Sequence, residues 1–72
     1  MNYTPLPAKL SIGDRIACPR CEPFNPEVLE VLKVYDDGRL LLCRENGLRV
    51  TTEYTRDDLA RYDYEIVTET TN

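Results

Sequence analysis

Cys18 and Cys21 bracket a Pro-Arg pair in the stretch Ala17-Cys18-Pro19-Arg20-Cys21-Glu22-Pro23. Two thiols at this spacing can share a metal ion, work as a redox pair, or flank a tight turn. A structural zinc site needs four soft or imidazole ligands in a tetrahedron. Cys43 offers a third thiolate, but the chain contains no histidine, so Asp14, Glu22 or Glu45 would have to complete the shell. Glu22 also stands after the second cysteine, where zinc knuckles often carry glycine. A metal reading therefore rests on Cys18, Cys21 and Cys43 and is one ligand short. A reactive pair wants its first thiol at a helix N-terminus, where the dipole favours thiolate. Pro23 and Pro26 keep a helix from following at once, and 72 residues are too few for a thioredoxin-like fold. The residues favour the third use: Pro19 shapes the exit of a strand, while Cys18 and Cys43 pack as small apolar groups.

Other chemistry has little to work with. There is one serine, no histidine and no glycine-rich phosphate loop, so general acid–base work would fall to scattered carboxylates. The reading is non-enzymatic. Arg39, Arg44, Arg49, Arg56 and Arg61 are interleaved with Glu45, Glu53, Asp57, Asp58, Asp63 and Glu65, a pattern of paired charges on a solvated face. With 13 acids against 9 bases the formal charge is −4. That argues against nucleic acid as a partner, since phosphate contacts supply most non-specific affinity. It suits a basic protein surface.

Seventy-two residues make one domain, which buries about 60% of its unfolded surface and so has a thin core. No apolar run approaches the ~20 residues that span a bilayer. The first ten residues lack a basic stretch followed by an apolar one. A cytoplasmic location follows as the expectation, and with it three reduced cysteines and no disulfide framework.

The elements that must position these groups are read as follows. Residues 1–11, with Pro5 and Pro7, form an irregular lead-in; 12–67 form the domain; 68–72 are a polar tail. A turn at Gly13-Asp14 feeds a strand at 15–18, and three prolines make 19–26 a loop. Asn46-Gly47 between two strand-like runs predicts a two-residue hairpin turn, and Gly38 marks the tip of another. The stretch 26–36 has two readings. Asn25-Pro26-Glu27 and polar residues at 27, 30, 33 and 36 suit a helix; Val28, Val31, Val34 and Tyr35 suit a strand, which is preferred. The run 55–62, capped by Thr55 or by Asp57 and Asp58, predicts one helical turn that drops Leu59 into the core. A strand at 63–67 closes the domain. Its alternation sets Tyr62, Tyr64 and Ile66 on one face.

This ordering, carried by Ile12-Gly13-Asp14-Arg15-Ile16-Ala17, by Val31 to Leu42 around Asp37-Gly38, and by Thr55 to Val67, resembles the Src-homology-3-like small β-barrels, the group of Tudor, chromo and KOW-type modules. The resemblance implies an all-β domain, a five-stranded barrel with one short helical turn before the last strand; a helix at 26–36 would make it α+β instead. It also implies a binding surface at the long loop 19–26, with Arg20, Glu22 and Phe24. Tudor-like modules cage methylated side chains in aromatics aided by an acid, through cation–π attraction; Tyr35, Tyr54, Tyr62 and Tyr64 with Asp63 could build such a cage, or fill a core that has no Trp and one Phe. The functional expectation is a small non-catalytic module for a protein or peptide partner. Its size and charge resemble phage or plasmid accessory proteins that inhibit a host or defence factor. The alternative is a zinc-binding or nucleic-acid-associated regulator using the three cysteines.

Overall fold

The computed structural model describes residues 2–21, 23–24, 27–44 and 49–68, with the backbone alone for 49–53. Along the chain run β1 (Asn2–Thr4), β2 (Arg15–Ala17), β3 (Leu29–Val34), β4 (Arg39–Arg44), β5 (Arg49–Thr55), α1 (Arg56–Arg61) and β6 (Glu65–Thr68). The six described strands form one antiparallel sheet in the order β1-β6-β2-β3-β4-β5, with edges at β1 and β5. The fold is thus mostly β with one short helix. The expectation of five strands is corrected to six. Asn2–Thr4, read as part of an irregular lead-in, pairs with β6 through Tyr3 opposite Val67. Three residues before a proline carry no alternation of their own; the edge of β6 supplies the hydrogen bonds that order them.

The stretch with two readings holds a strand. β3 pairs with β2 on one side and β4 on the other, and its register slips between Val31 and Lys33. A bulge of this kind inserts a residue and shifts the alternation by one. The helix-like spacing of polar residues is therefore that of a bulged strand. The turn that follows is a tight one: Gly38 N–H donates to Tyr35 O at 3.0 Å, Tyr35 N–H donates to Arg39 O at 2.9 Å, and Gly38 has φ +92°. A left-handed glycine after a type I turn gives the hairpin its twist. Gly13 takes φ +95° at the turn expected there. It donates to Val31 O at 2.8 Å and Val31 donates to Asp14 O at 2.8 Å, so this turn is moored to the middle of β3. The Asn46-Gly47 turn lies outside the described residues; the strands it would join pair with Cys43 opposite Arg49.

α1 is defined at both ends by hydrogen bonds. Thr55 is the N-cap: its Oγ1 accepts from Asp58 N–H at 3.2 Å, and Asp58 Oδ2 accepts from Thr55 N–H at 3.1 Å. This reciprocal pair satisfies two of the donors a helix start leaves open. At the other end Asp63 N–H donates to Ala60 O at 3.1 Å and Tyr64 N–H to Leu59 O at 3.0 Å. That is a Schellman ending, and it requires a left-handed residue, which here is Asp63 with φ 64°.

Leu59 on the inner face of α1 is 1% exposed and meets Ile16, Leu29, Val31, Leu40 and Leu42 from one face of the sheet. Leu6 and Leu10 from the segment after β1 cover the same cluster, and Tyr54, Tyr64 and Ile66 pack against it. A smaller cluster of Ala17, Val28 and Val67, with Tyr3 against it, forms around β2 and β6. Among the described residues no helix is long and apolar enough to cross a membrane.

Two expected outcomes test the two ends of α1. Asp63→Gly relieves a side chain from the left-handed region and should raise stability by about 1 kcal/mol in urea unfolding. The backbone N–H and then the side chain of Thr55 hold the Asp58 carboxyl below its ordinary range. A lowered folded-state value gives stability that is present above the unfolded value of about 3.9 and is lost as pH falls through the folded value. Asp58→Asn should therefore flatten the fall of the urea midpoint as pH drops below about 5.

Candidate functional site

β2 ends at Ala17, and the chain turns at once: Cys21 N–H donates to Cys18 O at 3.2 Å. The turn sets the two Cα atoms 5.4 Å apart, and the residues are joined as a disulfide. That separation falls in the usual range of about 4.4–6.8 Å. The expectation of reduced thiols is corrected for this pair. A compartment argument concerns the ambient redox poise, whereas the turn places the sulfurs within bonding reach by local geometry. Cys43 is a free, half-buried cysteine on β4. It pairs with Glu30, which pairs with Arg15 on β2, so it lies two strand spacings, about 10 Å, from β2 before any offset along the strands. The three sulfurs do not meet, the bonded pair offers no thiolates, and among the described residues no group of three or more metal-ligating side chains forms.

The tyrosines divide between tasks. Of the period-two face expected for Tyr62, Tyr64 and Ile66, Tyr64 and Ile66 pack against the same cluster, while Tyr62 is corrected, because Asp63 takes a left-handed turn and Tyr62 caps α1 instead of entering a strand. Tyr62 is 56% exposed and meets Tyr54 edge to face, 6.3 Å between centroids at 79°. Tyr54 and Tyr64 lean on the main cluster. Tyr35 stands at the tip of the β3–β4 hairpin, where Lys33 Nζ lies 4.9 Å and Arg39 Cζ 5.3 Å from its ring centre. Its ring already holds two of the protein's own cations, so a foreign one would have to displace them. Arg39 in turn donates from its backbone N–H and its guanidinium to Asp37, which holds that carboxyl below its ordinary range.

Three of the expected binding residues do converge. Arg20, Asp63 and Tyr64 line one open groove of about 330 Å³. Its other walls are Pro5, Leu6, Arg56, Ala60 and Glu65. The groove is built where the segment after β1, the exit of β2 and the end of α1 meet. Phe24 is 99% exposed on the loop beyond the disulfide. Glu22 lies outside the described residues. The charges lining the groove are mixed, two guanidiniums against two carboxylates.

Arg56 escapes a reading of the sequence alone. Its Nε donates to Pro7 O at 2.8 Å and an Nη to Leu6 O at 3.1 Å. The side chain also lines a second cavity of about 250 Å³ beside Leu10, Val34 and Tyr35. Thus Arg56, at the first position of α1, pins the segment after β1 across the domain and separates the two hollows. Nothing at positions 56 or 6–7 signals a contact over some fifty residues. Both sulfurs of the disulfide face the carbonyl oxygen of Tyr62, Cys18 Sγ at 3.2 Å and Cys21 Sγ at 3.9 Å, so the turn 18–21 lies against the end of α1 as well as following β2. Among the described residues no buried side-chain nitrogen or oxygen lacks a hydrogen-bond partner.

Arg56→Ala should remove two charge-assisted hydrogen bonds and lower stability by about 2 kcal/mol, with faster hydrogen exchange confined at first to residues 6, 8–10. Retention of wild-type protection there would show that the segment is held by Leu6 and Leu10 alone.

Compared with protein-family models, with curated proteins and with solved structures, the chain finds no match.

Proposed function

We propose that this chain is a small non-catalytic module that binds a protein or peptide partner through the loop 19–24 and the groove beside it. The observation that carries the reading is Phe24, whose ring is 99% exposed on a loop rooted in a disulfide. Covering a phenylalanine gains about 1.5–3 kcal/mol relative to leaving it in water, and aromatic anchors beside arginine are what protein interfaces concentrate their energy on. Arg20, Asp63 and Tyr64 in the adjoining groove add charges of both signs, suited to the polar rim of such a contact.

The fold reading that accompanies this proposal is the Src-homology-3-like topology. Its support is the strand order: β2 to β5 follow one another across the sheet, a helical turn comes next, and β6 returns to the outer side of β2. In that topology the loop after the first core strand, here the loop after β2, faces the ligand. The narrower proposal, an accessory protein of phage or plasmid type that blocks a host or defence factor, is supported by 72 residues and a charge of −4.

The test is capture from the source organism's lysate with the full chain, followed by affinity measurement on the protein recovered. Phe24→Ser and Arg20→Glu together should weaken the recovered interaction at least about tenfold, the equivalent of about 1.4 kcal/mol, with the circular dichroism spectrum and melting point unchanged. An unaltered affinity would remove the loop as the binding surface.

A further inference from the structure

We propose that Cys18 and Cys21 form a reversible dithiol–disulfide couple that external thiols open at Cys21 while the domain stays folded. The inference stands on burial and on the Tyr62 carbonyl and is independent of what the loop binds. Cys18 is 5% exposed, whereas Cys21 lies on the surface. Thiol–disulfide exchange needs in-line approach of a thiolate to one sulfur, so access selects the sulfur that is attacked. Here only the Cys21 side is open.

The exchange balances as follows. A thiolate of the glutathione class attacks Cys21 Sγ; the Sγ–Sγ bond breaks, and its electron pair leaves on Cys18, which takes a proton from water. A second external thiolate attacks the external sulfur of the mixed disulfide and releases Cys21, which is protonated in turn. Two external thiols become one external disulfide, and the protein pair gains two electrons and two protons.

Both ends of this cycle fit the fold. In the oxidised form the bridge closes a turn that already has its own hydrogen bond, Cys21 N–H to Cys18 O at 3.2 Å. In the reduced form the buried Cys18 thiol has an acceptor waiting, because its Sγ is 3.2 Å from Tyr62 O. A buried sulfur that gains a proton thus gains a partner for it, and the core around it need not reorganise. The same carbonyl, one of those left open at the C-terminal end of α1, repels a thiolate as it accepts from a thiol. The arrangement is the reverse of an oxidoreductase site, where a helix N-terminus stabilises the attacking thiolate. The pair is therefore a receiver of electrons from other thiols and not a catalyst of exchange. Opening it leaves the turn 18–21 closed by the Cys21 N–H to Cys18 O hydrogen bond in place of a covalent ring, which loosens the root of the loop proposed above as the binding surface.

The experiment uses the full chain carrying Cys43→Ser, so that only the pair reports. Folded protein is incubated with excess reduced glutathione, quenched by acid and alkylated. Thiols are counted by mass, and far-ultraviolet circular dichroism is read on the same samples. The expected result is the joint appearance of two thiols with an unchanged spectrum, reversed on addition of oxidised glutathione. A pair that stays closed, or that opens only as the spectrum is lost, would overturn the proposal. The direction of attack is read from the single variants: with oxidised glutathione, Cys21 in Cys18→Ser should form the mixed disulfide at least about tenfold faster than Cys18 in Cys21→Ser, given the role of access. Equal rates would overturn the assignment of Cys21, and the wild-type pair in the first experiment decides the couple even where a single variant fails to fold.

Discussion

The sheet depends on β2, a strand of three residues that is hydrogen-bonded on both sides. Ile16 sits opposite Leu29 of β3 and opposite Ile66 of β6, so β2 joins the β3–β4–β5 meander to the β1–β6 pair. Its apolar residues face both ways. Ile16 enters the main cluster with Leu59 and Leu42, while Ala17 enters the smaller one with Val28 and Val67, and both are 0% exposed. Ile16 and Ala17 thus fill both faces of a central strand with apolar side chains, and the moored turn at Gly13-Asp14 delivers it in register with β3, Arg15 opposite Glu30.

What happens at the two ends of β2 organises the functional surface. Before it, the segment carrying Leu6 and Leu10 folds over the main cluster and is pinned by Arg56. After it, the chain turns through Cys18 and Cys21 and runs against Tyr62. α1 meets both, with Arg56 at its start and the Tyr62 carbonyl at its end. One six-residue helix, held by a capping box and a Schellman ending, thereby sets the walls of the groove and the seat of the disulfide. Short helices are marginal on their own; this one is stabilised by Leu59 and by hydrogen bonds at its ends.

The legible parts were those whose signals are local. Thr55, Asp58 and Leu59 announce a capped helical turn, Gly13 and Gly38 announce turns that need positive φ, and β-branched residues pull 29–34 toward a strand. The illegible parts depend on distant partners. Asn2–Thr4 becomes a strand because β6 lies beside it. The polar spacing of β3 mimics a helix because a bulge shifts its alternation. Tyr62 left the strand face assigned to it because a helix ending needed a left-handed residue at Asp63, which no alternation rule registers. Of the expected site, Arg20, Asp63 and Tyr64 meet in one groove, whereas Tyr35 is engaged elsewhere by Lys33 and Arg39.

By itself the sequence determined an all-β domain with one capped helical turn, the absence of a histidine-based site, and a Cys-Pro-Arg-Cys turn at the exit of the first core strand. Those features follow from residue types and from spacings of a few positions, which fix backbone angles and thiol chemistry without reference to the rest of the chain. Only the tertiary structure decided that the two cysteines bond to each other and leave Cys43 apart, that Tyr62 presents its carbonyl to both sulfurs, and that Arg56 holds Leu6 and Pro7. The bond between Cys18 and Cys21 closes a local turn, but the contacts of Tyr62 and Arg56 bring atoms some forty to fifty residues apart within 4 Å, and the distance of Cys43 follows from strand order; no pattern along the chain signals either.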